Sequence, residues 1–145
     1  MEKTLSDGLP LPQRYGAIAT IIIGISMAVL DGAIANVALP TIASDLHASP
    51  ASSIWIVNAY QIAIVISLLS FSFLGDMFGY RRVYQCGLVV FTFTSLLCAL
   101  SDSLHTLTLA RIAQGFGGAA LMSVNTALIR LIYPQRHLGR GMGIN

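Results

Sequence analysis

Two charged residues of this chain lie inside long apolar stretches, Asp31 and Arg111. Asp31 is in the second half of the stretch 15–40, and Arg111 is near the start of another that runs to about Ile132. An acidic residue at the centre of a membrane helix costs roughly 2.5–3.5 kcal/mol on insertion scales, so it is a functional-site candidate by default. The chemistry that a buried carboxylate and a guanidinium can perform together is reversible proton binding.

The composition predicts that these stretches are membrane helices. The 145-residue chain is 55% hydrophobic and 10% charged, with a mean hydropathy of +0.75, whereas soluble domains carry about 25% charged residues. The apolar residues form long runs without the period-2 alternation of a membrane β-barrel. We therefore predict an all-α integral membrane protein. The net charge of +2 and the scattered basic residues predict no nucleic-acid partner.

The apolar runs predict four transmembrane helices and the start of a fifth. Their predicted bounds are about 15–38, 52–73, 83–99 and 106–132, with a stub at 139–145. Residues 1–14 are predicted to form a cytoplasmic tail. Pro40 is expected to end the first helix, because proline disfavours helix at the residue before it. Ser52 or Ser53 is the predicted cap of the second.

The basic residues predict the orientation, because cytoplasmic loops of membrane proteins are enriched in Lys and Arg. With the N-terminus inside, seven of the eight basic residues face the cytoplasm, and Arg111 is the exception. The seven are Lys3, Arg14, Arg81, Arg82, Arg130, Arg136 and Arg140. We therefore expect a multi-pass protein with a cytoplasmic N-terminus.

This topology places Asp31 and Arg111 at similar depth. Asp31 is seven residues from the outer end of its predicted span, about 10 Å deep, and Arg111 is five residues from the outer end of the fourth, about 7 Å deep. We predict that they face each other across a polar cavity and form a pair that takes up and releases a proton. The alternative is a static ion pair that only fixes helix packing.

Uncharged polar residues are candidates for the lining of that cavity. Gln114 and Asn125 share a helical face with Arg111, at offsets of 3 and 14 residues. Asn58 and Gln61 lie on one face of the second span. Hydrogen bonding between helices is the alternative role of such residues.

Small residues on the fourth span predict close helix packing. Gly115 and Gly118 lie on the same face as Arg111, and Gly115 forms a small-xxx-small pair with Ala119. Such a face lets another backbone approach closely, because side chains are missing from it.

The segment between the second and third spans is predicted to be a tight charged turn. It contains, in order, Gly75, Asp76, Gly79, Arg81 and Arg82. The two glycines permit a sharp reversal. Asp76 can accept bonds from helix-terminal N–H groups or pair with an arginine. The alternative is an ordinary solvated cytoplasmic turn.

The sequence predicts no metal site, no cofactor and no enzymatic activity. The histidines His47, His105 and His137 fall in three separate loops and cannot meet at a metal. Cys86 and Cys98 are about 18 Å apart along one helix, which rules out a mutual disulfide and indicates small packing residues. No nucleophile–base arrangement is visible.

Several segments together resemble the major facilitator superfamily, and specifically the drug:proton antiporters of its fourteen-helix branch. LDGAIANVALP (30–40) is similar to the first-helix motif of that branch, and WIVNAYQ (55–61) fits its second helix. LGDMFGYRR (74–82) is similar to the superfamily's signature loop, and RIAQGFGGAA (111–120) to its fourth-helix motif. The signature loop departs from the family pattern at Ser72, Met77 and Tyr80, where the family has a glycine and arginines.

The resemblance implies the N-terminal part of a major-facilitator bundle in the inner (plasma) membrane. It implies proton-coupled efflux of small amphipathic or cationic, drug-like compounds, with Asp31 and Arg111 as proton-coupling residues and 74–82 as a gating loop. The expected partners are the lipid bilayer, protons, the substrate and the missing C-terminal helices of a full transporter. The alternative is a small non-transporting membrane protein that packs with or modulates another membrane protein.

Overall fold

A computed structural model describes residues 10–133 together with Gly139 and Gly143, and within this part the chain forms four consecutive α-helices. They are α1 (Leu11–Asp45), α2 (Pro50–Phe78), α3 (Tyr80–Ala99) and α4 (Leu104–Ile132). All four are long and apolar enough to cross a membrane, which takes about 20 apolar residues. The predicted all-α membrane fold is confirmed. Of the predicted stub at 139–145, only Gly139 and Gly143 are among the described residues. Arg136, His137 and Arg140 lie outside them.

Helix α1 extends beyond its predicted span at both ends. It begins at Leu11, inside the segment that was expected to be tail, and it continues through Pro40 to Asp45. The expectation that Pro40 ends the helix is wrong. A proline in a helix removes one hydrogen bond and crowds one carbonyl, a cost that membrane helices tolerate. The bonds beyond it persist, and the Leu46 N–H donates to the Ile42 carbonyl at 3.0 Å.

The N-cap of α2 is Ser49, and the expectation of Ser52 or Ser53 is wrong. The Ser49 hydroxyl accepts a hydrogen bond from the Ser52 N–H at 3.1 Å. The Ser53 hydroxyl instead donates to the Ser49 carbonyl at 3.0 Å. The helix starts at Pro50, two residues before the predicted bound, so both later serines already lie inside its first turn.

The junction between α2 and α3 is a single residue, Gly79, with a φ of 93°. Helix α2 runs through Gly75, so the interpretation of Gly75 as a turn glycine is wrong. Gly75 is buried, and a Cβ there would lie 2.8 Å from atoms of both Tyr80 and Val124. Its missing side chain therefore makes room for packing, while the chain reversal is made by Gly79.

We expect Gly79→Ala to lower the free energy of unfolding by about 1–3 kcal/mol, because an L-residue is strained at this positive φ. The matched control is Gly16→Ala in α1, where a Cβ would meet nothing within 4 Å. That substitution is expected to raise the free energy of unfolding by about 0.5–1 kcal/mol. Thermal unfolding in detergent, followed by circular dichroism, measures both, and an unchanged Gly79→Ala midpoint would contradict the strained junction.

Helix α4 lies at the centre of the bundle and α1 at its edge. In the most apolar window of α4, 56% of the residues are buried, compared with 17% in that of α1. The core between α2, α3 and α4 contains side chains with almost no exposed surface. They include Ile56, Phe91, Leu121 and Val124.

Glycines bring α4 very close to both neighbouring helices. Towards α2, a Cβ on Gly115 would lie 2.6 Å from Ala63 Cβ and 2.7 Å from the Tyr60 carbonyl oxygen. Towards α3, a Cβ on Gly117 would lie 2.7 Å from the Phe91 backbone nitrogen. No side chain larger than hydrogen fits at either position without separating the helices. Ala119 has 0% exposure in the same region.

Helix α1 is attached to α3 through a buried tyrosine. The Tyr84 hydroxyl lies within hydrogen-bond distance of two α1 carbonyl oxygens, at 3.2 Å from that of Thr20 and 3.1 Å from that of Ile21. Gly24 faces the same hydroxyl and has no side chain to block it.

Candidate functional site

Asp31 of α1 and Arg111 of α4 are in direct contact. Arg111 Nη1 donates a hydrogen bond to Asp31 Oδ2 at 2.6 Å. The Arg111 side chain is 8% exposed and that of Asp31 is 22% exposed. Two opposite charges in contact cost less to bury than either charge alone. The carboxylate is the more exposed of the two partners.

Gln114 connects the ion pair to α3. It is completely buried, and its Nε2 donates to Asp31 Oδ1 at 2.9 Å and to Ser95 Oγ at 2.7 Å. Its Oε1 accepts from Arg111 Nη1 at 2.8 Å and from Cys98 Sγ at 3.6 Å. Each carboxylate oxygen of Asp31 thus has one donor from α4, and one carboxamide organises side chains from three helices.

The network includes two residues of α3 that the sequence analysis did not select as site residues. Ser95 and Cys98 are three residues apart and share a face of α3. That spacing of polar groups within an apolar span is a signal that could have identified them. Cys98 was interpreted as a packing residue, and the structure places its thiol against the Gln114 carboxamide.

Tyr60 of α2 is a third residue near the pair that was not selected. It is 6% exposed, and its ring centroid lies 5.7 Å from the Arg111 guanidinium carbon. A cation within about 6 Å of a ring is attracted to its face. Only the position of Tyr60 within WIVNAYQ, two residues after Asn58, pointed to this part of α2.

The other cavity candidates lie apart from this network. Asn58 and Gln61 are exposed on α2. Asn125 is partly buried, and its buried Oδ1 has no hydrogen-bond partner in the part of the chain that the structure describes. It is eleven residues beyond Gln114, or about 16 Å along α4. Of the four uncharged candidates, the structure brings only Gln114 to the ion pair.

At the α2–α3 junction, Asp76 accepts a hydrogen bond from the Tyr80 hydroxyl at 2.5 Å. Within the described part of the chain, neither of the predicted partners, a helix-terminal N–H group or an arginine, binds Asp76. Arg81 and Arg82 are exposed. Tyr80 stands where the resembled family has an arginine. A neutral phenol is therefore the hydrogen-bond partner of Asp76 at this junction.

Within residues 10–133, no group of three or more His, Cys, Asp or Glu side chains could hold a metal ion. The polar cluster around Asp31 contains one carboxylate, one guanidinium, one carboxamide, one hydroxyl and one thiol. The carboxylate lies beside a fixed cation, so the two charges compensate each other inside the apolar helices.

The sequence profile of the Major Facilitator Superfamily matches residues 21–145. The chain is 86% identical, over its whole length, to 32% of an uncharacterised transporter of Escherichia coli K12, YebQ. Over 92% of its length it is 36% identical to 29% of the riboflavin transporter RibZ of Clostridioides difficile. Over 94% of its length it is 35% identical to 25% of a tetracenomycin C resistance and export protein of Streptomyces glaucescens.

The chain thus spans about a third or less of the length of these relatives. Four apolar helices of membrane-spanning length and the family match over most of the chain agree with each other. Family members are transporters and not enzymes. The chain belongs to the Major Facilitator Superfamily.

Proposed function

We propose that this chain acts within a proton-coupled exporter of drug-like or amphipathic compounds, and that Asp31 carries the transported proton. The observation that supports this is the 2.6 Å contact between Asp31 and Arg111 inside apolar helices. The name of one relative, a resistance and export protein, favours export as the direction.

In the proposed cycle, the protonation of Asp31 changes the attachment of α1 to α4. Ionised Asp31 binds the Arg111 guanidinium and the Gln114 carboxamide, which both belong to α4. A proton on Asp31 cancels its charge and removes the electrostatic part of that attachment. For Asp31 to take up a proton from one side of the membrane and release it to the other, its ionised and protonated states must have different access to water.

The orientation of the proposed exporter has its cytoplasmic face at the N-terminus of α1, in the inner membrane. Arg81 and Arg82 begin α3, Arg130 lies in the last turn of α4, and all three are exposed. Successive helices that cross a membrane alternate in direction, so these three arginines share one side. The excess of basic residues on cytoplasmic loops favours that side as the cytoplasm.

We further propose that the α2–α3 junction is a gating loop. The Asp76 carboxylate and the Tyr80 hydroxyl form a short contact across Gly79, and Arg81 and Arg82 follow it at the membrane surface. These exposed charges are available to helices of a complete transporter.

The test is transport by a chimera in which this chain replaces the matching 145-residue segment of the Escherichia coli relative. Inverted membrane vesicles that contain the chimera are supplied with a pH gradient, and the accumulation of ethidium and of riboflavin is measured. We expect gradient-dependent accumulation of at least one probe, and we expect nigericin to abolish it by collapsing the gradient. Accumulation that is the same with and without the gradient would contradict proton coupling. Vesicles without the chimera provide the baseline.

A further inference from the structure

Two tyrosines, Tyr60 and Tyr84, are buried in this bundle, and their hydroxyl groups differ in the number of their hydrogen-bond partners. The Tyr84 hydroxyl has two carbonyl acceptors, those of Thr20 and Ile21. The Tyr60 hydroxyl is buried and has no hydrogen-bond partner among the described residues. Buried hydroxyl groups are nearly always hydrogen-bonded, so an unpartnered one calls for an explanation.

The unpartnered hydroxyl belongs to the ring that lies 5.7 Å from the Arg111 guanidinium carbon. Arg111 itself is bound through Nη1, which contacts Asp31 and Gln114. Its Nε is buried and has no hydrogen-bond partner within residues 10–133. A donor of Arg111 and an acceptor on Tyr60 are therefore both unused while Asp31 holds the guanidinium.

Two glycines of α4 keep Tyr60 beside Arg111. A Cβ on Gly118 would lie 3.0 Å from the Tyr60 hydroxyl oxygen, and a Cβ on Gly115 would lie 2.7 Å from the Tyr60 carbonyl oxygen. Side chains at these positions would displace both ends of the residue. The backbone and the hydroxyl of Tyr60 are thus both fitted closely to α4, one and two turns after Arg111.

We propose that Tyr60 is a positioning residue that holds Arg111 when Asp31 is protonated, its ring face binding the cation and its hydroxyl accepting a hydrogen bond from the guanidinium. This inference rests on the proposed function. The transferred proton resides on Asp31, while Arg111 and Tyr60 keep theirs. Without a further acceptor, protonation of Asp31 would leave the buried cation with only two uncharged partners, the Gln114 carboxamide and the neutral Asp31 carboxyl, a costly state for a charge away from water.

The groups that face Asp31 come from three helices. Arg111 and Gln114 belong to α4, Tyr60 to α2 and Cys98, through Gln114, to α3. Arg111 is the only cation among them, and the other three are neutral. A change in the proton affinity of Asp31 after substitution of Tyr60 therefore reports how well Arg111 is held in the protonated state.

Infrared difference spectroscopy on the full chain in lipid nanodiscs tests the proposal. The C=O stretching band of protonated Asp31, identified by its loss in Asp31→Asn, is titrated from about pH 4 to about pH 9. In Tyr60→Phe we expect the midpoint to move to lower pH by about half to one unit, because the protonated state loses one hydrogen bond. We expect the melting temperature of this variant to be unchanged or higher, because the hydroxyl that it removes is unpartnered in the unprotonated state.

The matched control is Tyr84→Phe, which removes the hydroxyl that has two acceptors. Here we expect the opposite combination, a lower melting temperature and an unchanged midpoint. A general loosening of the bundle would move both quantities in both variants, so this crossed result separates positioning from stability.

A Tyr60→Phe midpoint equal to that of the parent would overturn the inference and leave the proposed function standing. The absence of any Asp31 titration in the parent would overturn the proposed function, and this inference with it. If Tyr60→Phe loses its helical circular dichroism, Gly118→Ala is the second variant, since its Cβ displaces the same hydroxyl. We expect Gly118→Ala to lower the midpoint of the Asp31 titration, as Tyr60→Phe does, and an unchanged midpoint would overturn the inference.

Discussion

Replacing Asp31 by Asn is expected to abolish proton-driven transport and reduce gradient-dependent accumulation to the vesicle baseline. Asn has the shape of Asp and can still accept a hydrogen bond from Arg111 Nη1. It cannot bind or release a proton, and its uncharged oxygen no longer compensates the guanidinium. We also expect a loss of about 1–2 kcal/mol in the free energy of unfolding, from the weaker bond to a charged group. Both quantities are measured in the chimera, by ethidium uptake and by thermal unfolding.

The control for this variant is Asp45→Asn. Asp45 is the last residue of α1 and is exposed. It carries the same charge on the same helix but lies outside the network around Gln114, so transport is expected to continue. Full proton-driven transport by Asp31→Asn would refute the proposed role of the ion pair. An equal loss in both variants would attribute the effect to the charge of α1 in general.

Gly117→Ala is expected to lower the free energy of unfolding by about 2–3 kcal/mol. The new Cβ would lie 2.7 Å from the backbone nitrogen and 2.9 Å from the Cα of Phe91. Backbone atoms cannot turn away as a flexible side chain can, so α3 and α4 must separate. Separation of α3 from α4 also breaks the hydrogen bond between Gln114 and Ser95, which lies one turn after Phe91.

Thermal unfolding in detergent measures this effect, with Gly16→Ala as the control for the same chemical change in open space. The difference between the two variants isolates the cost of overpacking from the intrinsic gain in helix propensity. A Gly117→Ala chain that is as stable as the Gly16→Ala chain would be incompatible with the close α3–α4 contact.

The membrane-helical fold and the approach of Asp31 to Arg111 could both be predicted from the sequence. Hydropathy over about 20 residues is a strong signal, because backbone groups in lipid must be satisfied within each helix. The contact followed from counting residues along two spans of predicted direction. Depth was calculated from the rise per residue and the predicted ends of the spans. Helix α1 ends seven residues later than predicted, and Asp31 and Arg111 are nevertheless in contact.

The identity of the buried residues on each helix could not be predicted, because it depends on how the helix is rotated about its axis. Gly75 lies in a buried packing site and Gly79 makes the chain reversal, although both were interpreted as turn glycines of one charged segment, and only the structure distinguishes them. Gln114 is completely buried at the ion pair while Gln61 is exposed, although both were selected for the same reason. Rotation about the helix axis is set by contacts between helices, which one sequence does not specify.

The Tyr84 hydroxyl fixes one point of α1, about which the helix could tilt. It contacts the carbonyl oxygens of Thr20 and Ile21, and Asp31 lies about ten residues further along the same helix. That arm is about 15 Å long, so a rotation of about 10° around Tyr84 moves the carboxylate by about 2.6 Å. Such a displacement is enough to break a hydrogen bond of 2.6 Å. A small tilt of α1 about Tyr84 is therefore sufficient to separate Asp31 from Arg111.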